Sequence, residues 1–155
     1  MKIVLIIIST LILAPIIVFF VLGLMSQSGE ANGIVEGKLT KCPDKPNCIC
    51  TEFEADVSHY IDPVVFSQSN TSKVLSRLKN SVREMGGSIQ AENDNYLAAT
   101  FSSSIFRFVD DLEIRIDRNQ KMIHLRSASR VGYSDRGVNK KRIERLKNLY
   151  ELKME

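Results

Sequence analysis

The feature that most constrains this chain is its beginning. From Ile3 to Met25 it reads IVLIIISTLILAPIIVFFVLGLM, 23 residues without a charge. About 20 apolar residues in a helix span the hydrocarbon core of a bilayer, so residues 1–25 are expected to be a transmembrane anchor. Pro15 in mid-run fits, because lipid-embedded helices tolerate proline better than soluble ones do. A secretory signal is the rival reading, but its apolar region usually runs ~7–15 residues to a small-residue cleavage site. Here the run is longer and VLGLMSQSGEA makes a poor site. Lys2 and the amino terminus are the only positive charges before the run, and none follows until Lys38. Excess lysine and arginine marks the cytoplasmic side. The expectation is therefore a single-pass membrane protein, its carboxyl-terminal domain on the periplasmic or extracytoplasmic side and the membrane its first partner.

Residues 26–41 contain three glycines and few apolar side chains, which predicts a flexible linker. Residues 42–155 then have room for a single domain. The formal charge of +3 falls to +2 without Lys2, too small and too mixed a balance to argue for nucleic acid. Cys42, Cys48 and Cys50 crowd into nine residues. An exported body permits a disulfide, with one thiol left over. Cys42–Cys48 is the preferred pair, because Pro43, Pro46 and Asn47 bend the chain between them. Free thiols, or a zinc site of the three thiolates with His59, are the alternatives. The spacing C-x5-C-x-C lacks the paired knuckles usual for zinc, and no metal is expected.

Segment periodicity gives the body its shape. FEADVSHYIDPVVF offers one irregular strand before Pro63. A helix capped by Asn70 or Thr71 presents Val74, Leu75, Leu78, Val82 and Met85 on one face and stops at Gly86-Gly87. SIQAE and YLAATFSS flank the turn Asn93-Asp94-Asn95. IFRFVDDLEIRID and KMIHLRSASRV form a second hairpin around Arg118-Asn119. Opposing Ile116 to Lys121 sets Ile114 against Ile123, Leu112 against Leu125 and Asp110 against Ser127, all on the apolar face. On the other face Asp111 meets Arg126, Glu113 meets His124 and Arg107 meets Arg130, a pattern that predicts a solvated, salt-bridged surface. A last helix from about Val138 to Lys153 buries Ile143, Leu146, Leu149 and Tyr150. The fold class is α+β: the transmembrane helix, then an antiparallel sheet of about four strands packed against two helices.

Three groups could carry chemistry. Asp110 on the apolar face must be paired, protonated or lining a cavity, with Ser127 and Ser129 beside it. Arg107, Arg115, Arg126 and Arg130 could instead form a groove for an anionic head group or an acidic partner. Lys140, Lys141 and Arg142 crowd the start of the last helix, where free amides and cations can hold a phosphate or lipid head group. No nucleophile elbow, phosphate-binding loop, zinc-protease or dinucleotide motif is present.

The segments CPDKPNC, FVDDLEIRID and RSASRVGYSDRGVNKKRIE together resemble domain-of-unknown-function family 1499 of bacterial and plastid proteins, from about Cys42 to Leu149. The resemblance implies an often exported or membrane-anchored domain with no accepted activity, substrate or cofactor. Its motif positions include Asp110, Asp111, Glu113, Arg126, Ser127, Ser129, Arg130, Asp135, Asn139 and Arg142, with Cys50 where the pattern has serine. The reading that results is a non-enzymatic binding or accessory domain. Its candidate ligand-binding residues are Asp110, Arg126, Ser127, Ser129, Arg130, Asp135, Asn139 and Arg142. Its partner would be a protein or an anionic small-molecule or lipid ligand. The alternative is a hydrolase using Asp110 or Asp135 with Ser127 or Ser129.

Overall fold

The computed structural model describes residues 1–67 and 70–152. Helix α1 (Lys2–Gln27) runs without a break through Pro15 and is long and apolar enough to cross a membrane. At 1.5 Å per residue it is about 39 Å long, against a hydrocarbon core of about 30 Å. After it come β1 (Ile34–Val35), β2 (Lys38–Leu39), β3 (Cys48–Cys50) and β4 (Val64–Val65). Helix α2 (Thr71–Glu84), strands β5 (Ser88–Glu92), β6 (Tyr96–Ser102), β7 (Val109–Asp117) and β8 (Met122–Ser129), and helix α3 (Val138–Leu152) complete the order. The end of the last predicted helix, at Lys153, lies outside the described residues.

The expected α+β fold is present, with an antiparallel sheet of six strands rather than about four. The meander β5-β6-β7-β8 is its centre. β3 and β4 both add to the outer edge of β8, pairing Cys48–Cys50 with Arg126–Ala128 and Val64–Val65 with Met122–Ile123. At three and two residues they are too short to leave an alternation pattern in the sequence. β4 follows Pro63, whereas the strand expected in this segment was to precede it. Helix α2 begins at its predicted cap, with Lys73 N donating to Asn70 Oδ1. It ends where Gly86 takes φ +87°, a conformation that costs glycine little.

The β7–β8 hairpin departs from the expected register by two residues. Ile116 faces Ile123, Ile114 faces Leu125, Leu112 faces Ser127 and Asp110 faces Ser129. The cause is the turn. Asp117 Oδ1 accepts from the backbone N–H groups of Asn119 and Gln120, and Lys121 takes φ +53°, so the loop is Arg118–Lys121. A slip of two preserves which face each side chain occupies and changes only its partner. The predicted core therefore stands: Leu112, Ile114, Ile116, Ile123 and Leu125 pack with Val74, Leu78 and Val82 of α2 and Ile143, Leu146 and Tyr150 of α3.

The opposite face is not the solvated surface that its charges suggested. Asp111, Glu113, Arg115, His124 and Arg126 are all buried there. The cover is the segment whose composition suggested a flexible linker. Leu39 is 1% exposed and packs with Cys42, Cys48, Cys50, Tyr96, Ala98 and Ala128 in a second, smaller core. Gly33 N donates to Glu113 Oε1 at 2.7 Å, and Leu39 N to Glu52 Oε1 at 3.1 Å. Carboxylates of the sheet and of the segment after β3 thus hold the strap by its backbone, an attachment that hydropathy cannot register. Glycine suits the strap because the main chain itself makes the contact.

Candidate functional site

The sequence-predicted residues divide between the two faces of the sheet. Under the β8–α3 loop, Arg142 turns inward from α3. Its Nη2 donates to Asp110 Oδ2 at 2.7 Å and its Nη1 to Ser127 Oγ at 2.9 Å and to Asn139 Oδ1. The guanidinium lies 4.7 Å from the ring centre of Phe101, so the cation is held by an aromatic face as well. Ser127, fully buried, donates to Asn139 Oδ1 at 2.6 Å. Asn139 Nδ2 donates onward to Ser129 Oγ and to the Asn47 carbonyl, each at 3.0 Å. Asn47 closes the circuit, its Nδ2 reaching the Gly132 carbonyl at 3.0 Å. Each donor here has an acceptor, which is the condition for burying such groups without penalty. Asp135 stands outside the circuit. Its Oδ2 accepts from Asn139 N at 2.6 Å and its Oδ1 from Gly137 N at 3.0 Å, which caps the first turn of α3.

Arg126 and Arg130 belong to the other face. Arg126 Nη1 lies 2.7 Å from Glu113 Oε2, and Glu113 also accepts from Tyr96 Oη at 2.9 Å. Burial beside that carboxylate pushes the Tyr96 phenol well above its ordinary pKa. Arg130 forks onto Asp111 at 2.8 and 2.7 Å and donates with Nη1 to the Ser26 carbonyl at 3.2 Å. It therefore fills an open carbonyl at the end of α1, where a cation is favoured. The expected opposition of Arg107 and Arg130 does not occur, because Arg107 precedes β7 in a left-handed conformation. Arg115 grips Glu52 at 2.6 and 3.2 Å. The sheet therefore does not present a groove of free arginines: Arg115, Arg126, Arg130 and Arg142 each hold a carboxylate.

Lys140 and Lys141 are exposed, so of the three cations at the start of α3 only Arg142 enters the network. A disulfide joins Cys42 to Cys48, with Cα atoms 5.7 Å apart, and Cys50 is a free, buried thiol. Burial pushes the Cys50 pKa up to about 11. His59 meets Asp56 Oδ1 at 2.8 Å through Nδ1 and the Lys45 carbonyl at 3.0 Å through Nε2, which fixes the cysteine loop.

A cavity of about 400 Å³ opens beneath the 132–137 loop. Asp110, Ser129 and Asp135, with Ser103 and Ser134, supply its polar groups, while Phe108, Val131 and Tyr133 line it together with Phe19 and Leu22 of α1. Of the candidate residues, Asp110, Ser129 and Asp135 line this cavity, whereas Ser103, Ser134 and the apolar wall were not among them. Nothing in the apolar run distinguishes Phe19 and Leu22 from the neighbours that face away. Glycine and serine near the end of α1 were the available signal. A Cβ on Gly23 would lie 1.8 Å from the Phe106 carbonyl oxygen, and the buried Ser26 Oγ accepts from Val109 N at 3.0 Å. Both residues let α1 dock directly against the backbone around β7.

Of the residues in the hydrolase alternative, Asp110, Asp135 and Ser129 line the cavity and Ser127 does not. Ser127 is enclosed between Asn139 and Arg142, and His59 and His124 turn Nδ1 to Asp56 and to Thr51. No curated protein and no solved structure matches the chain. A family model described as a protein of unknown function, DUF1499, matches residues 38–149. That span holds the disulfide loop, both charged networks and every polar residue of the cavity, and the chain belongs to the DUF1499 family.

Proposed function

We propose that this chain is a membrane-anchored binding domain that takes the polar end of an amphiphile from the bilayer surface. The carrying observation is the composition of the cavity: Phe19 and Leu22 of the membrane-type helix α1 join an apolar lining from the body, and Asp110, Ser129 and Asp135 add carboxylates and a hydroxyl. At about 400 Å³ it has room for a head group and the first carbons of a chain, at the small end of ligand sites. Its polar atoms are chiefly acceptors and hydroxyls, and the nearby cation, Arg142, is already neutralised by Asp110. That chemistry favours a ligand that donates hydrogen bonds, a polyol or an amine, over the anionic ligand that the arginine count suggested. The body lies outside the cytoplasm in this reading, consistent with the charge bias around α1 and with a disulfide.

The test uses the full chain in lipid nanodiscs, with a monoacylglycerol as the polyol probe and a fatty acid as the anionic one. The monoacylglycerol should raise the unfolding temperature in proportion to the logarithm of its concentration. Val131→Trp, which fills the cavity, should abolish the rise. Equal stabilisation of wild type and variant, or stabilisation by the fatty acid alone, would count against the assignment. A carboxyl-terminal reporter active only outside the cytoplasm tests the orientation.

A further inference from the structure

We infer that the β6–β7 loop, Ser103–Phe108, is a second membrane-contacting element that enters the bilayer beside α1. The inference rests on α1 spanning the membrane and adds what that span requires of the domain. The Phe106 ring packs on Phe19 and Phe20 of α1 at 5.3 and 5.2 Å between centroids, and Phe108 lies 6.4 Å from Phe19. The Phe106 carbonyl sits against Gly23, so backbone as well as side chain touches the helix.

Helix length sets how far up α1 the bilayer must reach. Suppose the domain stayed wholly in water. The bilayer would then have to end below Phe19, leaving Ile3–Val18 as the span. Those 16 residues are about 24 Å of helix, short of the ~30 Å hydrocarbon core. Covering the core requires the bilayer to rise about another turn, past Phe19 and Phe20. Phe106 rises with it, because it is packed on both.

The loop has the composition that such a position demands. Ile105 at its tip is 69% exposed, a large aliphatic side chain that stands out from the body. Arg107, exposed and at φ +59°, places a cation between the two phenylalanines, where it can reach lipid phosphates while its neighbours enter the acyl region. Across the cavity, Tyr133 is 70% exposed, and aromatic rings with a polar tip concentrate at membrane interfaces. With α1, the loop would fix the tilt of the domain and turn the mouth of the cavity towards lipid.

The chain contains no tryptophan, so a single introduced one reports its own surroundings. Ile105→Trp, Val65→Trp and Leu11→Trp full-length proteins would be reconstituted in phosphatidylcholine vesicles with brominated acyl chains. Val65 is as exposed as Ile105, at 67%, but pairs with Met122 at the far end of β8, so it controls for the affinity of tryptophan for interfaces. The expected result is a blue-shifted emission at 105, quenched about twofold relative to unbrominated lipid, and none at 65. If position 105 behaves like position 65 while position 11 is quenched, the loop does not enter and the inference is wrong. If position 11 is also unquenched, α1 does not span, and the anchoring reading falls together with this one.

Discussion

Arg130 ties Asp111 to the end of α1. The guanidinium forks onto both carboxylate oxygens and gives its remaining nitrogen to the Ser26 carbonyl, so one side chain couples the sheet to the apolar helix. The ion pair is largely buried, and removing either charge strands the other. Arg130→Gln is therefore expected to cost about 2–4 kcal/mol in chemical unfolding and to open residues 27–33 to protease. Lysine at 130 should restore little, because it cannot fork.

Asp110 and Arg142 form the equivalent pair on the helical face. Alanine at either position leaves a partly buried charge and should destabilise by about 2–4 kcal/mol. The double variant should lose clearly less than the sum, with a coupling of about 1–3 kcal/mol in a double-mutant cycle. Strict additivity would mean that the two residues act independently.

Stability should depend on pH through His124. Burial holds the imidazole pKa below its ordinary value, so the folded chain keeps the ring neutral while the unfolded chain protonates near pH 6.5. This contribution is complete above the unfolded pKa and is lost as the pH falls towards the folded one. Denaturation midpoints between about pH 7.5 and 5 should therefore decline on acidification, and His124→Gln should flatten the decline. A wild-type midpoint that rises on acidification would contradict the assignment.

The thiols should differ in reactivity. Cys50 is buried with its pKa raised to about 11, so it should resist alkylation at about pH 8 until the domain unfolds. Reducing Cys42–Cys48 opens only a small ring, a loss of about 2 kcal/mol by loop entropy. The effect should be local, loosening Asn47 and its bond to the Gly132 carbonyl. Hydrogen exchange at Ser129, whose amide is bonded to the Asn47 carbonyl, would report it.

Much of this architecture was legible in the sequence, and the failures share a cause. Hydrophobic periodicity located α2, α3 and the meander, because Val74, Leu78, Ile114 and Ile123 repeat at the spacing of their element. It could not locate the cover on the second face, where Gly33 and Leu39 are held through backbone N–H groups by Glu113 and Glu52. Alternating charge along DDLEIR read as exposure, whereas Asp111, Glu113 and Arg115 are each buried against an opposite charge from another segment. The site was half legible for the same reason. Asp110 and Ser129 stood out as polar residues on an apolar face and Asp135 as a position of the family motif, but Phe19 and Leu22 acquire their role only from the docking of α1. The turn at Asp117 shifted the register without moving any side chain to the other face, so the core prediction survived an incorrect pairing.

Entry of lipid into the cavity between α1 and the 132–137 loop is open to a direct measurement. A monoacylglycerol with a diazirine on its first acyl carbons would be photolysed in nanodiscs holding the full chain. Labelled peptides would then be mapped after cleavage at Arg130 and Arg136, which releases Val131–Arg136 as a unit. Label is expected in that peptide in the wild-type chain, falling several-fold in Val131→Trp while labelling of Ile3–Leu13 stays constant. Label confined to α1, or label in Val131–Arg136 that the tryptophan leaves unchanged, would contradict it.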